Sequence, residues 1–252
     1  MVKKIVIKDG KIPNIEENVA CIGYFDGVHI GHQKLIRKTI DEANRLGLMP
    51  TLICFNPDPI DIISGNKNKH LLSYKDRLNV IEYFGIEQII IINFNKKIMN
   101  IDALDFIHNY LEKMNIREIV CGFDYTFGYK ALGNSKLLKK NFNGKTIVID
   151  ECCYYGKKVS TTRIKQALLE GNFKLMNRLI GWEYCLSLKV DKCSNKGKKW
   201  LIEAISKDKD CLLPKEGKYG KYFEVKDDRV ILIGPSKLEK GQDLLISFES
   251  YE

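Results

Sequence analysis

The sequence predicts an α/β fold in which a doubly wound, Rossmann-like parallel sheet is followed by a small C-terminal antiparallel β domain. Up to about residue 180, short apolar runs alternate with amphipathic segments, as in βαβ units. The runs are apolar almost throughout, which is typical of parallel strands covered on both faces. Beyond that point the strand-like runs are separated by Gly, Lys, Asp and Pro turns instead of helices.

Five apolar runs are the predicted strands of the parallel sheet: Val19–Tyr24, Pro50–Phe55, Glu87–Phe94, Arg117–Gly122 and Thr146–Asp150. The helices predicted between them are Gly31–Leu46, Ser73–Phe84 and Asp102–Met114. The first should bury a stripe of apolar residues (Leu35, Ile36, Ile40, Ala43 and Leu46). The third should turn Leu104, Ile107 and Leu111 inward.

A change of pattern divides the predicted domains, which are residues 1–182 and residues 183–252. A helical stretch, Thr161–Ile180, precedes the change. Five short strands are expected after it: Glu183–Val190, Lys199–Ile205, Lys221–Val225, Arg229–Ile233 and Asp243–Phe248.

Composition excludes several protein classes. The chain has 252 residues, 44% of them hydrophobic, and 19 Gly and 6 Pro without a repeat, which excludes collagen-like and low-complexity chains. No apolar run approaches the roughly 20 residues of a membrane helix, and the N-terminus lacks a signal-peptide pattern. The 8 cysteines form no C-x-x-C pair, so we expect reduced thiols, no zinc or redox site and a cytoplasmic protein.

The net charge of +9 favours an anionic partner: nucleic acid, an anionic membrane surface or a phosphorylated metabolite. Charge alone does not choose among these, and no run of basic residues is dense enough to be a polybasic arm.

The first candidate site follows the first predicted strand of the sheet, where Gly23–His32 runs directly into a helix. A strand-turn-helix presents free backbone N–H groups and the positive end of the helix dipole to an anion. Three glycines allow a phosphate to approach the backbone closely: Gly23, Gly27 and Gly31. His29 and His32 are three residues apart, so both imidazoles can project toward that anion.

Two further segments should lie at the same end of the sheet. Gly122–Gly128 follows an apolar strand and places three aromatic residues and a carboxylate between two glycines, a composition that suits a flat ring. Val159–Lys165 places hydroxyls and two cations at the start of a helix, which suits phosphate. We expect all three segments to converge on one crevice.

These residues resemble the bacterial FAD synthetases of the H-x-G-H nucleotidyltransferase superfamily. The family pattern G-x-F-D-G-x-H-x-G-H is matched by Gly23–His32, and G-x-D-F-x-F-G by Gly122–Gly128. S-S-T-x-I-R is echoed by Ser160–Lys165, and F-x-P-H-P by Phe55–Pro59. The likeness runs from about residue 15 to 185.

Four positions depart from the family patterns: Asp58 stands for His, Tyr125 for Phe, Thr161 for Ser and Lys165 for Arg. Lysine keeps the charge of arginine without its bidentate geometry, so phosphate affinity is the property most affected. A larger departure follows Tyr184, where the Gly-Arg and Pro-Thr-Ala-Asn signature of the family's riboflavin kinase domain is missing. We therefore expect no phosphorylation of riboflavin.

The resemblance implies adenylyl transfer from ATP to FMN, which yields FAD and pyrophosphate, with Mg²⁺ arriving on ATP rather than in a protein-built metal site. The implied catalytic residues are His29, His32, Asp124 and Thr162. The implied ATP-binding residues are Gly23, Tyr24, Phe25, Asp26, Gly27, Gly31, Ser160, Thr161, Arg163 and Lys165. The implied FMN-binding residues are Asn56, Pro57, Asp58, Phe123, Tyr125 and Phe127.

Two alternatives stay open. H-x-G-H reports only the nucleotide end, so the acceptor could be another phosphorylated compound, such as pantetheine phosphate or a polyol phosphate. The net charge also permits a non-catalytic protein that binds nucleotide or RNA on the same fold. With the resemblance we expect neither nucleic-acid nor membrane binding, and the sequence leaves the oligomeric state and the role of the C-terminal domain open.

Overall fold

A computed structural model describes residues 2–220 and 223–247. The chain forms two compact units. The first contains the residues up to Asn68 and Tyr74–Lys158, and the second contains Lys69–Ser73 and the residues from Val159 onward. The two units therefore meet between Lys158 and Val159 in the chain, and Lys69–Ser73 is an excursion into the second unit. The domain boundary after residue 182 stays a prediction.

The described part of the first unit contains ten strands, of which the first eight are β1 (Lys3–Ile7), β2 (Asn18–Ile22), β3 (Met49–Asn56), β4 (Gln88–Asn93), β5 (Ile116–Gly122), β6 (Thr126–Phe127), β7 (Gly133–Asn134) and β8 (Lys145–Ile149). Six of them form one sheet in the order β1-β4-β3-β2-β5-β8, and every neighbouring pair is parallel. The five predicted strands are confirmed. β1 was not predicted because it is short, begins with two exposed lysines and lies at the sheet edge.

The order of the strands places the first two candidate segments together. β2 pairs with β3 on one side and with β5 on the other, so the chain winds in opposite directions from this central pair. Ligands of open α/β sheets bind beyond the carboxyl ends of the strands at such a switch point. Gly23 directly follows β2 and Phe123 directly follows β5.

Six α-helices lie in the first unit: α1 (Ile30–Leu46), α2 (Pro59–Ser64), α3 (Tyr74–Tyr83), α4 (Lys96–Met99), α5 (Ala103–Phe106) and α6 (Ser135–Asn141). α1 buries Leu35, Ile36 and Ala43 as predicted. Leu46, predicted to be buried, is 39% exposed, because it lies in the last turn of the helix beyond the edge of the packed face.

The predicted helix Asp102–Met114 is not one regular α-helix. It begins as α5, continues as a π-helical turn over Ile107–Leu111 and ends as a 3₁₀ turn over Glu112–Met114. Ile107 and Leu111 are buried as predicted, but Leu104 is 42% exposed. The large rings of Phe106 and Tyr110 set the buried face, and Leu104 lies outside it.

Two short hairpins complete the first unit. β6 pairs antiparallel with β7 just after β5. β9 (Cys153–Tyr154) and β10 (Lys157–Lys158) pair antiparallel after β8. Both hairpins follow the carboxyl ends of sheet strands.

The described part of the second unit contains two helices, α7 (Thr161–Leu169) and α8 (Phe173–Ile180), and six strands: β11 (Cys185–Lys196), β12 (Lys199–Ser206), β13 (Gly217–Tyr219), β14 (Phe223–Lys226), β15 (Arg229–Gly234) and β16 (Asp243–Ser247). The strands form an antiparallel sheet in the order β13-β14-β15-β12-β11-β16. The predicted antiparallel domain is confirmed. Residues 221–222 and Phe248, which belonged to two of the predicted strands, lie outside the described residues.

Several hydrogen bonds join segment Lys69–Ser73 to the rest of the second unit. The hydroxyl of the fully buried Tyr184 donates to the carbonyl oxygen of Leu71 over 2.7 Å. The N–H of His70 donates to the carbonyl of Asp210, and the carbonyl of His70 accepts from the N–H of Leu212, both over 2.7 Å.

Over the described part of the chain, we find no helix with the length and apolar character that a bilayer crossing requires.

Candidate active site

The turn between β2 and α1 has an unusual backbone. Phe25, Gly27 and Val28 have φ angles of 62°, 76° and 41°, all in the left-handed region. A β-branched residue such as Val28 adopts this conformation only under strain, and strain of this kind clusters at functional sites. Phe25 and Val28 are fully buried, so packing holds the turn in place ahead of the first N–H groups of α1.

The two histidines of this turn stack on each other. Their ring centroids are 3.7 Å apart and their planes differ by 13°. Nδ1 of His29 accepts a hydrogen bond of 3.3 Å from the backbone N–H of His32, which makes His29 the N-cap of α1. A neutral imidazole that accepts at Nδ1 carries its proton on Nε2. His29 can therefore donate a hydrogen bond from Nε2.

Both imidazoles are neutral at pH 7. Burial lowers the pKa of His29 to about 4, and the nearby charge of Asp26 opposes this shift only in part. Burial lowers the pKa of His32 well below its usual range, and the charge of Arg77, together with any proton that binds to His29, lowers it further. Nδ1 of His32 is buried and has no hydrogen-bond partner among the described residues. Two neutral donors beside a helix start suit hydrogen bonding to phosphate better than acid–base catalysis.

A side chain at position 31 would crowd the ring of His29. A Cβ atom there would lie 3.1 Å from Cε1 and 3.2 Å from Nδ1 of His29, which is tighter than ordinary contact. The same atom would lie 3.6 Å from the Cβ of Cys152. The glycine between the two histidines therefore leaves room for their stack.

The loop after β5 separates into a packed part and an exposed part. Phe127 is only 8% exposed and packs against Phe106 with ring centroids 5.7 Å apart. Tyr125 stacks on Phe127 at 5.4 Å, and its hydroxyl is buried with no hydrogen-bond partner among the described residues. Burial raises the pKa of that hydroxyl well above its usual range. The structure thus gives Phe127 a packing role, although the resemblance placed it on the flavin side.

The exposed part of this loop contains Phe123 and Asp124. Phe123 is 42% exposed, and the Nζ of Lys158 lies 4.9 Å from the centre of its ring. Lys158 also forms an ion pair with the carboxylate of Asp124. Sequence reasoning missed Lys158, which is brought here by the β9–β10 hairpin and carries no motif signal of its own.

The segment after β3 contributes a second carboxylate. Asp58 is buried and caps α2, where Oδ1 accepts from the N–H of Ile60 over 2.9 Å. The hydroxyl of Tyr24 is hydrogen-bonded to Asp58, and burial raises the pKa of that hydroxyl. Asn56 and Pro57 are exposed. Asp58, which stands where the family pattern has histidine, therefore connects this loop to the turn after β2.

Arg77, on α3, is a further charged residue that sequence reasoning missed. It is 3% exposed, and its Nη1 donates to the carbonyl oxygen of Tyr24 over 3.3 Å. Its guanidinium lies 4.4 Å from the ring centre of Tyr24 and 5.5 Å from that of Tyr74. An arginine in an amphipathic helix is normally a solvated residue, so no sequence signal separated Arg77 from the others.

The third candidate segment lies in the second unit. Ser160 is the N-cap of α7, where its hydroxyl accepts from the N–H of Arg163 over 3.3 Å, and Thr161 and Thr162 form the first turn. The Nζ of Lys165 donates to the carbonyl of Lys69 over 2.6 Å. The predicted N-terminal placement of the hydroxyls is confirmed. The predicted convergence of this segment with the other two stays a prediction.

Comparisons with known proteins agree with these features. The chain is 29% identical to a bifunctional riboflavin kinase/FMN adenylyltransferase of Listeria monocytogenes over 82% of its length and 68% of the relative's. It is 36% identical to the enzyme of that name from Buchnera aphidicola over 71% of its length and 59% of the relative's. A crystal structure described as a macrolide-efflux protein from Streptococcus pneumoniae superposes with a TM-score of 0.84 and 26% identity, over 98% of this chain and 90% of that one. The family model for FAD synthetase matches residues 11–163, more than half of the chain, and the chain therefore belongs to the FAD synthetase family.

Proposed function

We propose that this protein is an FMN adenylyltransferase, which forms FAD and pyrophosphate from ATP and FMN. The observation that carries the proposal is the stacked, neutral pair of His29 and His32 at the start of α1, beside the carboxyl ends of β2 and β5. Family membership supports the same reaction. We place the protein in the cytoplasm, because the eight cysteines form no C-x-x-C pair or other disulfide pattern in the sequence.

The reaction needs little covalent chemistry from the protein. An oxygen of the FMN phosphate attacks the α-phosphorus of ATP in line, a new P–O bond forms, and the bond to the β-phosphate breaks. The electron pair leaves with pyrophosphate. Catalysis of such a transfer depends on positioning and on stabilising the charge that develops in the transition state.

We assign His29 and His32 the role of stabilising the charge that develops on the phosphates in the transition state. His29 presents Nε2–H as a donor, and the N–H groups at the start of α1 add the positive end of a helix dipole. The rest of this part of the ATP site is assigned to Gly23, Tyr24, Phe25, Asp26, Gly27 and Gly31, of which Phe25 and Asp26 are buried within the turn. Mg²⁺ enters bound to ATP and neutralises part of its charge.

The other two segments are assigned to the remaining groups of the substrates. Thr161, Thr162, Arg163 and Lys165 hold the pyrophosphate, with Ser160 fixing the start of their helix. Asp124 orients the nucleotide or the flavin. The flavin lies against the exposed ring of Phe123 and the loop Asn56–Asp58, and the stacked rings of Tyr125 and Phe127 support the loop that carries Phe123.

We further propose that the chain does not phosphorylate riboflavin, because it contains no Gly-Arg and Pro-Thr-Ala-Asn signature after Tyr184. The alignments to the relatives from Listeria monocytogenes and Buchnera aphidicola cover 68% and 59% of their lengths, so we do not assign to this chain the kinase activity that their names include.

An end-point assay tests both statements. The protein is incubated with Mg·ATP and FMN, riboflavin, pantetheine phosphate or a polyol phosphate, and the products are separated by chromatography. FAD from FMN, with no FMN from riboflavin, is the expected result. An adenylylated product from another acceptor only would identify a sister enzyme. Salt-sensitive RNA binding without ATP consumption would identify a binding protein instead.

A further inference from the structure

We infer that Arg77 is a positioning residue of the nucleotide site, which holds the turn ahead of the two histidines and supplies the site with a fixed positive charge. This inference rests on the proposed function. Its basis is the placement of a buried guanidinium against the first residues of the motif, on a helix that carries none of the family patterns.

The guanidinium of Arg77 is a buried positive charge. Arg77 is 3% exposed, and among the residues that the structure describes it takes part in no ion pair. Its Nε is buried without a hydrogen-bond partner. A buried cation is costly unless it is paired, and the rings of Tyr24 and Tyr74 compensate it only in part. The carboxylates of Asp26 and Asp58 act on the hydroxyl of the adjacent Tyr24, and the phosphates of a bound nucleotide bring further negative charge to the guanidinium.

Arg77 also contacts the turn between β2 and α1. The hydrogen bond from Arg77 ends on the carbonyl of Tyr24, the residue immediately before the left-handed Phe25. The guanidinium also covers the Tyr24 ring at 4.4 Å. Both contacts fix Tyr24 from the side of α3. Because the turn is strained, removal of these contacts should let Phe25 and the following residues relax, and with them the two imidazoles.

Arg77 also affects the electrostatics of the histidine pair. Burial is the largest cause of the low pKa of His32, and the charged groups that add to it are His29 on the same turn and Arg77 on α3. Burial also lowers the pKa of His29, where Asp26 and Asp124 oppose the shift and Lys158 adds to it. Arg77 thus contributes to the neutral state of His32 and adds positive potential for the phosphates.

The test compares Arg77→Met, Arg77→Lys and Arg37→Met with the unmodified protein. Arg37 is an exposed residue of α1, so its variant controls for the loss of one positive charge. The readouts are the Kd of Mg·ATP by calorimetry and the pH titration of the histidine rings by NMR. Only four histidines are present, which keeps the ring signals resolvable.

Arg77→Met should weaken Mg·ATP binding by about tenfold or more, shift the ring signals of both histidines and raise the pKa of His32. Arg77→Lys should restore the low pKa of His32 but only part of the affinity, because lysine lacks the planar fork that stacks and donates together. Arg37→Met should match the unmodified protein.

A folded Arg77→Met protein with unchanged Kd and unchanged ring signals would overturn the inference, as would an equal loss of affinity in Arg37→Met. If Arg77→Met does not fold, an Arg77→Lys protein with unchanged affinity overturns it. Neither readout requires turnover. A failure to form FAD would therefore count against the proposed function alone.

Discussion

His29 and His32 stack with their ring centroids 3.7 Å apart, and the backbone N–H of His32 donates to Nδ1 of His29. The hydrogen bond fixes the tautomer of His29, and the stacking fixes the orientation of both rings. Because burial keeps both rings neutral, the pair is arranged to donate hydrogen bonds without carrying charge.

The neutral pair predicts a loss of stability in mild acid. The folded-state pKa of His29, about 4, lies below its ordinary value of 6.5, so the unfolded chain binds a proton first as the pH falls. The contribution of His29 to the free energy of unfolding should change little above pH 7 and should fall by about 2 kcal/mol at pH 5. Urea unfolding at pH 8 and pH 5 measures it.

His29→Gln/His32→Gln serves as the control, because it should remove most of the pH dependence in this window. The carboxyl of Glu42, whose pKa is lowered to about 2 by Lys38 and Arg45, loses its contribution only below about pH 4.5 and does not interfere. An unchanged difference between the two pH values in the double variant would argue against buried neutral histidines.

Ring titration by NMR tests the same state without turnover. His29 and His32 should show no protonation between pH 6 and 8. This measurement is preferable to a pH–rate profile, because the phosphate of a flavin substrate itself titrates near pH 6. Two site histidines that titrate near pH 6.5 would contradict the structure.

Gly31→Ala should reduce turnover while the protein stays folded. The new Cβ would press on the His29 ring at 3.1 Å, and small displacements of positioned groups are costly in rate, so a loss of about tenfold or more is expected. Helix propensity gains about 1 kcal/mol from alanine, which offsets the crowding in the free energy of unfolding.

Gly47→Ala is the matched control at the other end of α1. Gly47 has φ of 67° and open space around it, so alanine should lower stability by about 1 kcal/mol and leave the rate unchanged. Equal rate losses in the two variants would indicate that only the stability of the helix matters.

Asp124→Asn should lower turnover by about tenfold or more with little change in stability. The ion pair of Asp124 with Lys158 is solvent-exposed, and such pairs contribute about 1 kcal/mol or less. Steady-state rates and thermal unfolding distinguish the two effects. The control is Asp243→Asn, which removes an exposed ion pair with Lys207 in the second unit and should leave the rate unchanged.

Lys165→Arg should lower the KM for ATP several-fold, whereas Lys165→Met should raise it by about tenfold, each with a smaller change in kcat. Arginine restores the residue of the family pattern and can bind a phosphate through two parallel hydrogen bonds. A KM that is the same in all three proteins would remove Lys165 from the pyrophosphate site.

The sheet and the first two motifs could be predicted from the sequence because they follow from local patterns. Continuous apolar runs marked five strands, and glycines placed the motif residues directly after β2 and β5. The sequence predicted less accurately which of the motif side chains are buried. Phe123 and Phe127 have the same chemistry and lie in one loop, yet only Phe127 packs against Phe106, a contact that depends on the path of the chain between them.

The residues that the sequence did not reveal act from neighbouring elements. Arg77 reaches Tyr24 from α3, and Lys158 reaches Asp124 from the β9–β10 hairpin. Their partners are separated from them by tens of positions in the chain, and neither lies in a recognisable spacing. Only the arrangement of strands and helices in space identifies such residues.

The most direct measurement is the initial rate of FAD formation from FMN and Mg·ATP by the unmodified protein and by a His29→Ala/His32→Ala variant with a verified fold. We expect FAD from the unmodified protein and a rate lower by about a hundredfold or more in the variant. FAD formation at an undiminished rate without the two histidines, or no FAD from the unmodified protein, would contradict the central claim.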